Sequence, residues 1–175
     1  MKNYILFLLL LLIILSCDST KNIKTTSFYE ADDKVNLFAF IGKKISVEIS
    51  ERDTTAIEKF VGIDGDTVIQ KVIYFDERFI AKYKIEKPLF NNFKKDTISF
   101  FVFDHYGRPK FEEHEYVILY VSRSECDDNF YHQKYMYDPV KKNVDGSWIG
   151  KNGESINELF NNKRNGYLKA RGIFQ

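Results

Sequence analysis

The chain has 175 residues, with 26 Lys and Arg against 25 Asp and Glu and only three His. That near-neutral balance argues against a nucleic-acid partner, which demands a basic face, and against charge as the main anchor to anionic lipid, although a balanced total leaves room for local patches. The length suits a single domain with a real hydrophobic core.

At the start, Met1-Lys2-Asn3 carries one positive charge, and Tyr4 to Leu15 then runs uncharged and mostly Leu and Ile. The run is shorter than the roughly 20 apolar residues needed to span a bilayer, and it fits the apolar part of a secretory signal peptide. Ile14-Leu15-Ser16-Cys17 follows. This segment resembles the lipobox of bacterial lipoproteins, with a small residue before the cysteine. The resemblance covers the first 17 residues. It implies cleavage before Cys17, a diacylglyceryl group on its thiol and acylation of the new amino group. Two or more chains hold a protein stably where one does not, at about 0.8 kcal/mol per buried methylene. Residues 1–16 are then the signal and 17–33 a polar tether; 34–175 are one β-rich domain. Lys2 leaves with the signal, so the mature chain has 25 basic and 25 acidic residues. Phe28-Tyr29 interrupts the tether, and an alternative is that it packs on the domain. The expected address is the cell envelope. Asp18 resembles an inner-membrane retention signal of some enteric bacteria, but abundant Lys, Asn, Ile and Phe suggest an AT-rich genome outside that rule, which favours the outer membrane.

From Val35 the pattern is that of strands. Val35 to Ile41 is apolar apart from Asn36; Gly42 marks a bend or bulge, and Ile45, Val47 and Ile49 alternate with polar residues. Ala56 to Phe60 reads as a helical turn or a loop, with turns at Gly62 and Asp64-Gly65. Thr67 to Phe75 and Phe79 to Glu86 read as a hairpin across Asp76-Glu77-Arg78, with Phe79, Ala81, Tyr83 and Ile85 on one face and Pro88 ending the strand. Asp96 to Phe103, nearly all β-branched or aromatic, reads as a central strand buried on both faces, and Tyr116 to Val121 repeats that character. Asn129 to Tyr137 alternates, placing Tyr131, Gln133, Tyr135 and Tyr137 on one face. Asp145-Gly146 is a strong turn signal before Trp148. Ser155-Ile156-Asn157-Glu158 has capping-box spacing and opens the one convincing helix, with Ile156, Leu159 and Phe160 on a stripe. The expected fold is therefore mainly β: a small antiparallel barrel or sandwich, OB-like in one form, with one C-terminal helix. Phe40 to Val47, and Ala81 to Ile85 before Asp96 to Phe100, resemble strands of bacterial netrin- or TIMP-like OB barrels. That resemblance implies the fold only, because a lipidated Cys17 on a tether departs from the free amino-terminal cysteine through which TIMP proteins inhibit metalloproteases.

The densest polar cluster is Asp104-His105-Tyr106-Gly107-Arg108-Pro109-Lys110 with Glu112, Glu113 and His114. It joins two apolar strands, where loops on a rigid scaffold commonly carry function. His105 with Asp104 or Glu113 makes a candidate base and orienting partner, and His105 with His114 a candidate Zn²⁺ pair. Tyr106, Arg108, Tyr131, Tyr135 and Tyr137 are candidate binding residues for a glycan or peptide. Against these stands a structural reading: Gly107 and Pro109 punctuate a turn, Asp104 bonds its own backbone, and aromatic stripes on strands usually pack. His132 reads as a packed sheet residue, and Cys126 as a loop thiol whose acidic neighbours oppose a reactive thiolate. There is no nucleophile elbow, Walker loop, Rossmann fingerprint or full calcium loop, so no cofactor is implied. The leading expectation is a non-enzymatic interaction or assembly module whose partners are membrane lipid through Cys17 and another envelope protein. The alternatives are glycan or peptide capture, and a hydrolase or metal site on the Asp104–His114 loop.

Overall fold

A computed structural model of the chain describes residues 28–53 and 55–174. The signal segment, Cys17 and most of the tether lie outside those residues.

The long strand β1 (Phe38–Ile49) is the spine. It pairs antiparallel with β4 (Glu77–Phe90) on one side and β6 (Tyr116–Arg123) on the other. β4 pairs on with β5 (Thr97–Asp104), and β6 with β7 (Phe130–Lys142). β5 and β7 then meet in parallel at Phe101 and Tyr131, which closes the ring β5-β4-β1-β6-β7 at a single point. This is a partly open five-stranded barrel, the OB-like form of the expected architecture. β8 (Trp148–Gly150) extends the end of β7 across the Asp145-Gly146 turn.

Alternation along the strands sends side chains to two cores. Phe40, Phe79, Ala81, Tyr83, Phe100, Val102, Val117 and Leu119 fill the barrel. Ala39, Ile41, Phe90, Ile118 and Tyr120 point the other way, into a second core under the helix α1 (Ile156–Lys163). β6 is thus buried on both faces, as its composition predicts. At Gly42 a Cβ would lie 2.9 Å from the rings of Phe40 and Tyr83, and the β1–β4 register shifts there, which is the expected bulge.

Five expectations change. Thr67 to Phe75 does not pair with Phe79 to Glu86. Its first part, β3 (Thr67–Lys71), instead forms a separate hairpin with β2 (Ile57–Val61), so Ala56 to Phe60 is largely strand, neither a helical turn nor a loop. β4 runs through Pro88 to Phe90, with Phe40 of β1 opposite Pro88 and β5 already gone from its other side beyond Lys84, so the proline lies where the strand has lost one neighbour. Ile45 is exposed because the register shift between Lys44 and Ser46 takes it out of the alternation with buried Val47, and Ile49 is exposed at the end of the strand. Finally, β5 is buried on one face only. Its outward Phe101 and Phe103 are covered by Tyr131, at 5.4 and 6.0 Å between ring centroids, and by the Arg78 and Arg52 guanidiniums.

Ser155 caps α1, its hydroxyl accepting from the Glu158 amide at 3.1 Å. Ile156 and Phe160 face the second core, and a π-type turn (Arg164–Leu168) brings Leu168 and Phe174 back into it. Phe28 packs on Phe160 at 5.2 Å and Glu30 pairs with Arg164 at 2.6 Å, so the residues just before the domain lie on it, the second of the two readings of Phe28-Tyr29. A buried polar contact locks α1 to the barrel: Tyr120 donates to Asp138 at 2.9 Å, and Lys163 lies 3.1 Å from the other carboxylate oxygen. Burial raises the Asp138 pKa, with Lys163 and Tyr120 opposing. Lys163→Met is expected to cost about 2 kcal/mol at pH 7, less than the 3–5 of a fully buried pair, because Asp138 loses its cation. A carboxyl with a raised pKa takes up its proton early on acidification and then needs no partner, so the mutant deficit should shrink as pH falls. Urea unfolding of both proteins at pH 7 and 4 checks this; a deficit independent of pH would oppose it.

Candidate functional site

β7 is interrupted at its centre. Val121 of β6 pairs with His132 and Leu119 with Tyr137, so the four residues between them bulge out opposite Tyr120. Within the bulge Tyr135 has φ +67°, a left-handed conformation that costs a non-glycine residue about 1–3 kcal/mol. The surroundings hold it there. Lys134 reaches Asp76 at 2.7 Å, Arg171 donates to the Lys134 carbonyl at 2.9 Å, and Gln133 donates to Ser122 at 2.7 Å.

His132 closes the bulge from inside. One ring nitrogen, Nε2, lies 2.9 Å from the Met136 carbonyl. A carbonyl only accepts, so Nε2 carries the hydrogen and Nδ1 presents a lone pair. That lone pair has no partner among the described residues. His132 is 9 % exposed as a residue, and its ring sits 4.8 Å from Phe111 and 6.1 Å from Phe100. Burial pushes its pKa down to about 4, so it is neutral at pH 7.

The Asp104 loop folds over the same place. Asp104, 7 % exposed, accepts the Tyr106 amide through Oδ1 at 2.9 Å, and its Oδ2 accepts from none of the described residues. Gly107 at φ +102° turns the chain. Arg108 then grips Glu112 with two bonds of 2.5 and 2.7 Å and donates to the Val47 carbonyl at 2.7 Å. A 3-10 turn (Lys110–Glu113) drives Phe111 into the barrel.

Loop and bulge together enclose a cavity of about 420 Å³. Val102, Phe103, Phe111 and Tyr137 form its walls, and Asp104 and His132 supply buried polar atoms. Tyr106 and Tyr135, 84 % and 43 % exposed, stand 6.3 Å apart at its mouth. Of the candidate binding residues, Tyr106, Arg108, Tyr135 and Tyr137 meet here, although the loop and the stripe lie some thirty positions apart in sequence. Tyr131 does not join them: it stacks on Phe103 and donates to Asp127 at 2.5 Å, because the bulge breaks the face it was expected to share.

The candidate catalytic grouping is not the one expected. His105 turns away from both Asp104 and Glu113; its Nδ1 lies 2.9 Å from the Phe75 carbonyl and 3.5 Å from Asp76. Glu113 pairs with Lys110 at 3.4 Å. His114 lies against Tyr137, 6.1 Å between rings. Among the described residues no three His, Cys, Asp or Glu side chains group as metal ligands. Cys126 is exposed. Sequence reasoning missed His132, since the bulge that isolates its lone pair has no glycine to announce it.

A second feature is the β2–β3 hairpin, turned at Gly62, whose amide bonds the Asp66 carbonyl at 2.8 Å. All ten of its strand residues are exposed, Ile57, Phe60, Val61 and Ile69 among them, and so is Ile63 in the turn. Among the described residues no helix is long and apolar enough to cross a membrane. Comparisons with protein-family models, curated proteins and solved structures find no match.

Proposed function

We propose that the chain is a membrane-tethered capture module of the bacterial envelope, held in the outer membrane by lipid on Cys17 and binding its ligand in the cavity between the Asp104 loop and the β7 bulge. The observation that carries this reading is the cavity itself: apolar walls, an exposed tyrosine pair at the mouth, and two acceptors with no protein donor among the described residues, of which His132 Nδ1 is buried. Binding is favoured over hydrolysis because a histidine with a pKa of about 4 is a weak general base at neutral pH, and His105 spends its Nδ1 outside the cavity. The lipobox resemblance supports the anchor.

A second reading, assembly with another envelope protein, is favoured by the hairpin. A lone two-stranded ribbon is marginal in water, and its free outer edges fit an extended strand of a partner.

One experiment tests both. A photo-cross-linking residue is placed at Tyr106, at Ile63 in the hairpin turn or at Val144 in the β7–β8 turn of the lipidated protein in its native membrane. An adduct at 106 but not at 144 is the expected result, with Cys17→Ala moving the protein into the soluble fraction. A protein adduct confined to 63 would replace capture with assembly, and equal labelling everywhere would sink both.

A further inference from the structure

We infer that the ligand of this cavity is a neutral sugar ring, its hydroxyls donating to Asp104 and His132 and its C–H face lying on the tyrosines at the mouth. This rests on the capture reading above and narrows it to a ligand class.

The polar atoms decide the class. Asp104 Oδ2 and His132 Nδ1 only accept, and each belongs to a side chain more than nine-tenths buried, with Nδ1 itself a buried atom without a partner. Leaving a buried acceptor unpaired is unfavourable, so the missing partner is a donor. That disfavours phosphates and carboxylates, which bring more acceptors and meet the Asp104 charge. Arg108 and Lys110 also line the cavity, but their carboxylate partners balance them, so a cationic guest is left to the ammonium panel of the test below. The acceptors and the apolar walls together suit a neutral molecule with several hydroxyl donors and an apolar face.

The remaining walls suit such a molecule. Phe103 and Phe111 are apolar, and Tyr106 and Tyr135 offer ring faces at an open mouth. A volume of about 420 Å³ falls at the small end of ligand pockets, which run roughly 300–1,000 Å³, and fits one or two rings better than a long chain. Tyr135 is held in a conformation that glycine adopts without cost, which is how strain at a binding wall is recognised.

The test is calorimetric titration of the lipidated protein, in a sugar-free detergent, with neutral hexoses, N-acetylhexosamines and their disaccharides. Parallel panels hold short neutral peptides and aromatic ammonium compounds. Binding of a neutral sugar is expected, with at least a tenfold loss in Asp104→Asn, which keeps the acceptor for the Tyr106 amide but can turn the free oxygen into a donor. Tyr135→Gly should show a similar loss, at a backbone angle that favours glycine, with circular dichroism confirming the fold of both variants. Sugar binding indifferent to both substitutions would overturn the assignment of the site. Binding of a peptide or ammonium compound, sensitive to Asp104→Asn and without any sugar, would overturn the sugar inference and leave capture standing. No binding from any panel would remove both.

Discussion

Acidification from pH 7 to pH 4 is expected to remove about 3 kcal/mol of folding stability through His132 alone. Burial lowers its pKa from 6.5 to about 4, a nearby Arg171 adds to that, and the Met136 carbonyl opposes it. Between those two pH values the unfolded chain binds a proton that the folded protein refuses. The stability is therefore fully present above about 6.5 and is lost as pH falls toward 4, below which this residue adds no further loss. His132→Gln keeps an amide donor for the Met136 carbonyl and does not titrate, so this component of the slope should vanish. Urea unfolding of both proteins at pH 7, 5.5 and 4 reads the difference directly, and the opposite contribution of Asp138 cancels between them. Parallel slopes would mean that His132 is not held neutral, and the free acceptor at Nδ1 would go with it.

Phe160→Ala should cost about 3–5 kcal/mol, the range for deleting a fully buried phenylalanine. Its ring is the centre of the second core, with Phe28, Phe90, Tyr120 and Phe174 at 5.2, 5.6, 6.3 and 6.4 Å. α1 has eight residues, of which only Ile156 and Phe160 are buried, and so short a helix does not persist in water without packing. Truncation would loosen the helix and uncover Ile118 and Tyr120 on β6. Against a typical stability of about 5–15 kcal/mol that is a large share. Exposed Asn162→Ala, on the same helix, should change stability by no more than about 0.5 kcal/mol. Denaturant midpoints and hydrogen exchange across 156–163 would show the effect; a loss under about 1 kcal/mol would place the weight of the fold in the barrel alone.

Some of this architecture was legible in the chain. The alternation of Phe79, Ala81 and Tyr83, the two-sided burial of Tyr116 to Val121, the bulge at Gly42, the Asp145-Gly146 turn and the Ser155 cap all follow from neighbours a few positions apart. Each is settled by the geometry of one strand, one turn or one helix end. The Asp104 loop was rightly suspected to lie at a strand end, and Tyr106, Arg108, Tyr135 and Tyr137 were already candidates.

Partner choice was not legible, because apolar alternation does not say which strand lies alongside. Thr67 to Lys71 had the pattern to pair with β4 and pairs with β2. Phe101 and Phe103 looked fit for a second buried face and are covered by Tyr131 and two arginines. The cavity is the extreme case. It needs four residues of β7 opposite a single residue of β6, an aromatic residue held at positive φ, and a loop pinned by Arg108 to the Val47 carbonyl sixty-one positions away. By itself the sequence determined a mainly β chain, its bends and its one helix, since those depend on local sterics and hydrogen bonding. Only the tertiary structure decided which side chains line the cavity and which of their acceptors lack a protein donor, since that depends on where distant strands meet.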